Sequence, residues 1–269
     1  SPKIIYGTAW KKELTAGLVT KAIEHGFRGI DTACQPKHYN ETGVGEGLVA
    51  GFKSGVKREE IYLQTKFTPK NGQDPKRIPY DPSASLSKQV EQSFQQSLIN
   101  LQVSYIDCLA LHSPLNTPDK LMEVWQAMEV IFHDGGIKQL GICNCYDIRV
   151  LEYLFKSASI KPAVVQNRFY SKTNYDGTIR EFCNKNNIIY QSFWTLTANP
   201  HVLASATMQK IAKKMQLTPA QIFFHYLTQL GISPLTGTTS PLHMDQDLAI
   251  FDFELTTDDC EVIGGLLTS

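Results

Sequence analysis

The chain has 269 residues, and its 26 acidic and 26 basic side chains balance. A summed charge of zero excludes a general attraction for nucleic acid or an anionic bilayer and leaves a small, locally bound ligand as the expected partner. No apolar run approaches the roughly 18 residues of a membrane span, and the opening SPKIIYGTAW lacks a signal-peptide pattern, so a cytoplasmic protein is expected.

Residues 4–8 read as a short strand, and the helical spacing of Leu14, Leu18, Ala22 and Ile23 after it ends at Gly26, a left-handed cap. A second strand over 28–33 carries Asp31, and a second helix spans 41–52. The polar loop between them holds His38 and Tyr39. A third strand, 61–66, stops on Lys66. After a loop rich in Pro, Lys and Asp (68–83) and a helix over 86–101, the fourth strand, 105–112, stops on His112. The rhythm continues with helix 120–132, strand 138–143, helix 148–156, strand 163–166, helix 178–184 and strand 188–193. Helical spacing then covers 202–230 with an interruption at Thr218-Pro219, where proline suits a first turn. An eighth strand over 232–236 and short helices near 243–250 and 258–267 close the chain.

Eight short apolar strands alternating with helices indicate an α/β fold whose parallel sheet is covered outside, a (βα)8 barrel formed by 1–269 as one domain. Six scattered cysteines in a chain of this length predict reduced thiols, and Cys143 and Cys145 have no zinc or redox spacing. No pair of histidines has metal-ligand spacing, so no metal is expected. The glycines of GVGEG follow no strand as GxGxxG or GxxxxGK[ST] would, and they read as helix packing.

The strand ends present Asp31, Lys66, His112, Asn144, Gln166, Phe193 and Thr238, nearly all polar after apolar runs. In a parallel barrel such residues share one mouth. An acid, a phenol, a lysine and a histidine gathered there form a proton-donating site. A free tyrosine titrates near pH ~10. A neighbouring ammonium favours its phenolate, and a carboxylate keeps that ammonium charged and aimed. Carbonyl reduction calls for this set, because negative charge grows on the oxygen as hydride arrives at carbon. Lys66 as a Schiff-base nucleophile of a lyase or aldolase is a second reading.

GFRGIDTA, HYNE with VGEGL after it, LQTKF, LALHSP, QLGICN and PAVVQN, in this order over nearly the whole chain, resemble the successive signatures of the aldo-keto reductases. The resemblance implies a TIM barrel that binds a nicotinamide dinucleotide, and a catalytic tetrad of Asp31, Tyr39, Lys66 and His112. Tyr39 would be the proton donor, tuned by Lys66 and Asp31, with His112 orienting the carbonyl. It further implies that Asn144 and Gln166 hold the nicotinamide carboxamide, with Cys143 in place of the usual serine and Phe193 in place of the usual stacking tyrosine. Thr8, Ala9, Leu196, Thr238, Thr239, Ser240, His243 and Asp247 complete the cofactor set. Trp10, Tyr80, Ser113 and Trp194 are expected on the substrate wall.

Three departures from the family pattern bear on function. The loop from Asp31 to Tyr39 is longer than its commonest form, so Tyr39 needs a rearranged loop to reach the site. In PLTGTTSPLHMDQD, Gly237 stands for the usual lysine and His243 for the usual arginine, yet three hydroxyls and a helix start at Ser240-Pro241 remain. NADP(H) is therefore expected with a weakened preference over NAD(H). The chain stops soon after Leu267, and this short C-terminal tail implies an open pocket that tolerates bulky aldehydes and ketones. A monomer acting on a small-molecule carbonyl substrate is expected. A cofactor-retaining regulatory subunit, like the barrel-shaped β subunits of potassium channels that resemble this family, is a third reading.

Overall fold

The computed structural model describes residues 1–268, in which eight parallel strands close into a barrel in chain order. They are β1 (Ile5–Gly7), β2 (Gly29–Asp31), β3 (Tyr62–Phe67), β4 (Ile106–Leu111), β5 (Ile137–Cys143), β6 (Val164–Arg168), β7 (Ile189–Phe193) and β8 (Ile232–Thr236). The barrel closes where Ile5 pairs with Leu235 and Tyr6 with Thr236. Helices cover the outside: α1 (Thr15–His25), α2 (Glu41–Lys53), α3 (Leu86–Leu101), α4 (Pro118–His133), α5 (Ile148–Ser157) and α6 (Gly177–Lys185). Then come α7 (Pro200–Leu203), α8 (Ala206–Met215), α9 (Pro219–Gln229), α10 (Pro241–Leu248) and α11 (Thr257–Leu266).

The expected α/β barrel is present, with two local differences. β2 is shorter than the expected 28–33, yet its pairing with β3 continues through Thr32 N–H to the Gln64 carbonyl (2.9 Å) and Cys34 N–H to the Lys66 carbonyl (3.2 Å). The ladder thus holds the chain past Asp31 before the loop leaves. The helical stretch 202–230 is broken twice rather than once. The Ser205 hydroxyl accepts from Met208 N–H and starts α8, and Thr218 forms a reciprocal cap with Gln221 ahead of Pro219. As read from Gly26, α1 ends there in the left-handed conformation, at φ 119°.

The placement of Tyr39 depends on how α2 is seated. A Cβ at Gly47 would come within 2.6 Å of the Val19 Cβ, and one at Gly45 would collide with the Asn100 carbonyl, so the glycines let α2 press between α1 and α3. Asn40 caps α2 through its Oδ1, which accepts from Gly43 N–H at 2.9 Å, and its Nδ2 donates to the Lys12 carbonyl at 3.1 Å. Glu41 is buried and accepts from Thr65 (2.5 Å), Ser97 (3.0 Å) and Asn100 (3.1 Å). This carboxylate bolts the start of α2 to the neighbour of Lys66 on β3. Tyr39 is anchored from its C-terminal side before its own side chain makes any contact.

Candidate active site

Asp31 and Lys66 meet inside the barrel, with Nζ 2.7 Å from Oδ2 and both side chains almost wholly shielded from solvent. A second Nζ hydrogen goes to the Thr32 carbonyl at 2.8 Å. Taking an ion pair out of water is costly unless its remaining hydrogen-bonding capacity is satisfied. Here the other carboxylate oxygen accepts from Gln64 Nε2 (2.7 Å) and Gln166 Nε2 (3.0 Å). Both of those amides also donate to Gln191 Oε1, at 2.8 and 3.0 Å, and Gln191 Nε2 returns a bond to Gln64 Oε1 at 3.0 Å. Three glutamines from β3, β6 and β7 thereby form a neutral polar floor that fixes the carboxylate. Burial pulls the Lys66 ammonium towards losing its proton, but the Asp31 charge outweighs this and holds its pKa above the ordinary value.

Tyr39 reaches this pair. The long loop folds into a turn in which His38 and Tyr39 N–H groups both donate to the Gln35 carbonyl, at 3.2 and 3.0 Å. Gln35 is itself tied to the Gly72 carbonyl at 2.7 Å. The Tyr39 ring centroid lies 5.1 Å from Lys66 Nζ and 6.0 Å from the His112 ring, which meets it edge-on. Burial pushes the phenol up to about 12, with Lys66 pulling it down and Asp31 pushing it up, so Tyr39 holds its proton at neutral pH. Burial, with a smaller push from the Lys66 charge, lowers His112 to about 3 and keeps the imidazole neutral. Its Nδ1 lies 2.6 Å from the Thr68 hydroxyl. When Thr68 donates this bond, the ring proton resides on Nε2.

A cavity of about 790 Å³ opens over this floor and runs along the mouth to the start of α10. Thr8, Ala9, Trp10, Asp31, Tyr39, His112, Asn144, Gln166, Phe193, Trp194, Leu196, Thr238, His243 and Asp247 line it, so most of the residues expected from sequence converge there. Lys66 lies beneath, reaching the cavity through Tyr39. Trp10 and Trp194 remain 57% and 44% exposed and leave the rim wide. Asn144 takes a left-handed conformation (φ 53°) and donates to the His112 carbonyl at 2.9 Å.

Five expected residues sit elsewhere. Tyr80 does not face the substrate wall: it is buried against Phe67, and its hydroxyl donates to the Thr68 carbonyl at 2.7 Å. Ser113 stands outside the lining, half-buried at the start of the β4–α4 connection. Cys143 is buried beneath the lining, level with Gln166 in the sheet register. Ser240 uses its hydroxyl to cap α10, accepting from His243 N–H at 3.3 Å, and Thr239 is exposed and outside the cavity lining.

Several lining residues escaped the sequence reading. Lys11 and His38 border the Trp10 side, where the Trp10 and His38 rings stack with centroids 3.8 Å apart. Arg168 lies 4.2 Å over the Trp194 ring and 6.0 Å from that of Phe193. Gln64 and Gln191 also went unread, although an uncharged polar residue inside LQTK and IYQSF was the signal.

The donor set suits a nicotinamide dinucleotide. Gln166 spends both amide hydrogens on the floor, and its Oε1 has no partner among the described residues, which leaves an acceptor for a carboxamide. Phe193 offers a ring face, and Lys11, Thr238 and His243, which line the same cavity, are donors that would suit phosphate oxygens.

Comparison with known proteins agrees with this geometry. The family model described as the aldo/keto reductase family matches residues 3–267. The glyoxal reductase of Bacillus subtilis (strain 168) is 30% identical over 92% of this chain and 82% of its own length. The NADH-dependent D-xylose reductase of Candida parapsilosis is 28% identical over 98% and 89%. The crystal structure of MGS-M4, an aldo-keto reductase enzyme from a Medee basin deep-sea metagenome library, superposes with a TM-score of 0.85 at 29% identity, covering 100% of this chain and 92% of that one. The chain therefore belongs to the aldo/keto reductase family and is an NAD(P)H-dependent oxidoreductase of carbonyl compounds.

Proposed function

We propose that this chain, as one barrel domain and a monomer, reduces aldehydes and ketones of varied bulk, with Tyr39 as the proton donor and NADPH preferred modestly over NADH. The reading is carried by one observation: the Lys66 ammonium is locked to Asp31 at 2.7 Å on one side and faces the Tyr39 ring on the other, at the floor of an open cavity. The bound reduced nicotinamide supplies the hydride. The chain does the rest. Neutral His112, with Thr68 on Nδ1, presents Nε2–H to the carbonyl oxygen and aligns it. Tyr39 gives its proton to that oxygen as charge builds there, and the fixed ammonium of Lys66 stabilises the phenolate left behind.

The Schiff-base alternative is disfavoured by the same geometry. An amine that must attack a carbonyl needs its lone pair free, whereas Lys66 is held as an ammonium by Asp31 and the Thr32 carbonyl. The hydroxyl of Thr238 and the N-terminus of α10 favour the 2′-phosphate, while His243 in place of arginine and Gly237 in place of lysine weaken that preference; the relative from Candida parapsilosis is NADH-dependent. Six free cysteines, five of them buried, support the cytoplasm as its compartment.

The test is oxidation of NADPH and NADH against a panel of small and bulky aldehydes and ketones, repeated with Tyr39→Phe. Turnover confined to one small sugar, equal efficiency with both coenzymes, or full activity of Tyr39→Phe would each remove the corresponding part of the proposal. Light scattering of the enzyme tests the monomer.

A further inference from the structure

We propose that Arg168, at the end of β6, binds a carboxylate carried by the substrate, and that the enzyme therefore favours aldehydes and ketones that are also carboxylic acids. The inference rests on the reading that this cavity reduces carbonyl compounds, and it narrows that reading to a substrate class. Gln166 and Arg168 are two residues apart on β6 and both line the cavity, Arg168 about 7 Å further along the strand than the glutamine on the floor. Its register partner on β7 is Phe193. The guanidinium carbon lies 4.2 Å from the Trp194 ring centroid, 5.2 Å from that of Tyr170 and 6.0 Å from that of Phe193.

The cation has no counter-charge. Among the described residues none accepts a hydrogen bond from the guanidinium or pairs with it, and its Nε is buried without a partner. Such a group is costly to leave unsatisfied. Asp31 and Asp247 are the only carboxylates among the described lining residues, and both are engaged, Asp31 by Lys66 and two glutamines and Asp247 by the Thr236 hydroxyl. Aromatic contacts hold a guanidinium in place without spending its N–H donors, which lie in its plane and match the two oxygens of a carboxylate. Trp194, one of the rings that hold it, keeps a left-handed backbone (φ 53°), a strained state for a bulky side chain of the kind that gathers at binding sites.

The position assigns the anion to the substrate. The donors suited to phosphate, Lys11, Thr238 and His243, stand beyond β7, at the β1–β8 seam and the start of α10. Arg168 instead shares the cavity with Tyr39 and His112, so one molecule can place its carbonyl on that pair and its carboxylate on the fork. The carboxylate takes no part in the chemistry. Hydride from the coenzyme and the Tyr39 proton turn C=O into CH–OH, and the product is a hydroxy acid.

The test compares kcat/KM for two matched pairs, 4-formylbenzoate with its methyl ester and succinic semialdehyde with its methyl ester, in wild type, Arg168→Met and Arg168→Lys. The quantity read is the acid-to-ester ratio, which cancels any general loss of activity, and its change between proteins, which cancels the intrinsic reactivity of each aldehyde. In Arg168→Met the ratio is expected to fall on the order of tenfold or more, the loss of one charge-assisted pair, with the change carried mainly by KM for the acid. Arg168→Lys, which keeps the charge without the fork, should fall between the two and preserves a reading if the methionine variant folds poorly. Coenzyme dissociation constants are measured alongside by calorimetry. A ratio unchanged in both variants overturns the inference and leaves Arg168 as a brace for Trp194. An unchanged ratio with a raised coenzyme Kd also overturns it, since the guanidinium then serves the coenzyme. Either result leaves the reductase intact, whereas a wild-type enzyme that turns over no aldehyde or ketone overturns the reductase reading and this inference with it.

Discussion

Asp31 and Gln64 are register partners across β2 and β3, and the Gln64 side-chain amide donates to the buried Asp31 carboxylate at 2.7 Å. The bond fixes the oxygen that Lys66 does not use, so Gln64 acts on the chemistry through the orientation of Asp31. Replacing it with leucine removes a donor to a buried charge and strands Gln191 Nε2, which now bonds Gln64 Oε1. Gln64→Leu is expected to lose about 1.5–3 kcal/mol of stability. Because the cavity wall is untouched, kcat should fall while KM for the carbonyl stays within about twofold. A denaturant midpoint equal to wild type, or a change in KM alone, would show that the glutamine floor is ordinary packing.

The ion pair itself should be strongly cooperative. Lys66→Met leaves a buried carboxylate without its cation, at about 3–5 kcal/mol, which for a chain of this size lowers Tm by on the order of 10 °C. Asp31→Asn/Lys66→Met, neutral at both positions, should recover much of this loss without recovering activity. The comparison is by thermal melts and turnover on the three proteins. A double variant no more stable than Lys66→Met would mean that the pair is not coupled as its 2.7 Å contact indicates.

The two groups expected to face the carbonyl oxygen set the pH response. Tyr39 is pushed up to about 12 by burial, and His112 is pulled down to about 3 by burial and the Lys66 charge. Reduction needs the phenol protonated and the imidazole neutral, so activity is lost only above the first value or below the second. The kcat/KM profile for reduction, which reports the free enzyme, should therefore be flat from about pH 5 to about pH 9. A bell centred near neutrality would place a different acid or base at the reacting oxygen.

The barrel was readable because titratable residues stand where strands finish: Asp31 closes β2, Lys66 lies one residue before the end of β3 and His112 directly follows β4, and such side chains among buried neighbours have few structural uses. Tyr39 was readable only as a member of that set. Its route into the site depends on the Gln35 turn and on the seat of Glu41, which join parts of the chain that no local pattern links. Lys11 was missed for the same reason, since a lysine after an exposed tryptophan looks solvated until the β1–β8 seam sets it on Gly237. Tyr80 was placed wrongly because a tyrosine in a proline-rich loop looks exposed. In the fold the Thr68 carbonyl takes its hydroxyl and Phe67 its ring. Gln64 and Gln191 carry no charge, and although a polar residue inside a strand marks each of them, the pattern does not say that Gln64 faces the Asp31 carboxylate and that the two bond to each other.

Asp247 provides a prediction that runs opposite to acid denaturation. Its carboxyl is buried and accepts from the Thr236 hydroxyl at 2.7 Å, and burial raises it to about 6 from the ordinary 3.8. Between these values the folded chain binds more protons than the unfolded one, so this group lowers stability as pH rises from about 4 to about 6, and its penalty is complete above that. Asn at 247 keeps an acceptor for Thr236 and carries no charge. Asp247→Asn is expected to stabilise the enzyme at pH 8 by up to about 3 kcal/mol, two pKa units at ~1.4 each, with the gain fading to nothing by about pH 4. Chemical denaturation of both proteins across that range measures the difference directly. A variant that is less stable than wild type at pH 8, or a gain that does not shrink with acid, would mean that the charged Thr236–Asp247 bond is worth more than the desolvation it requires.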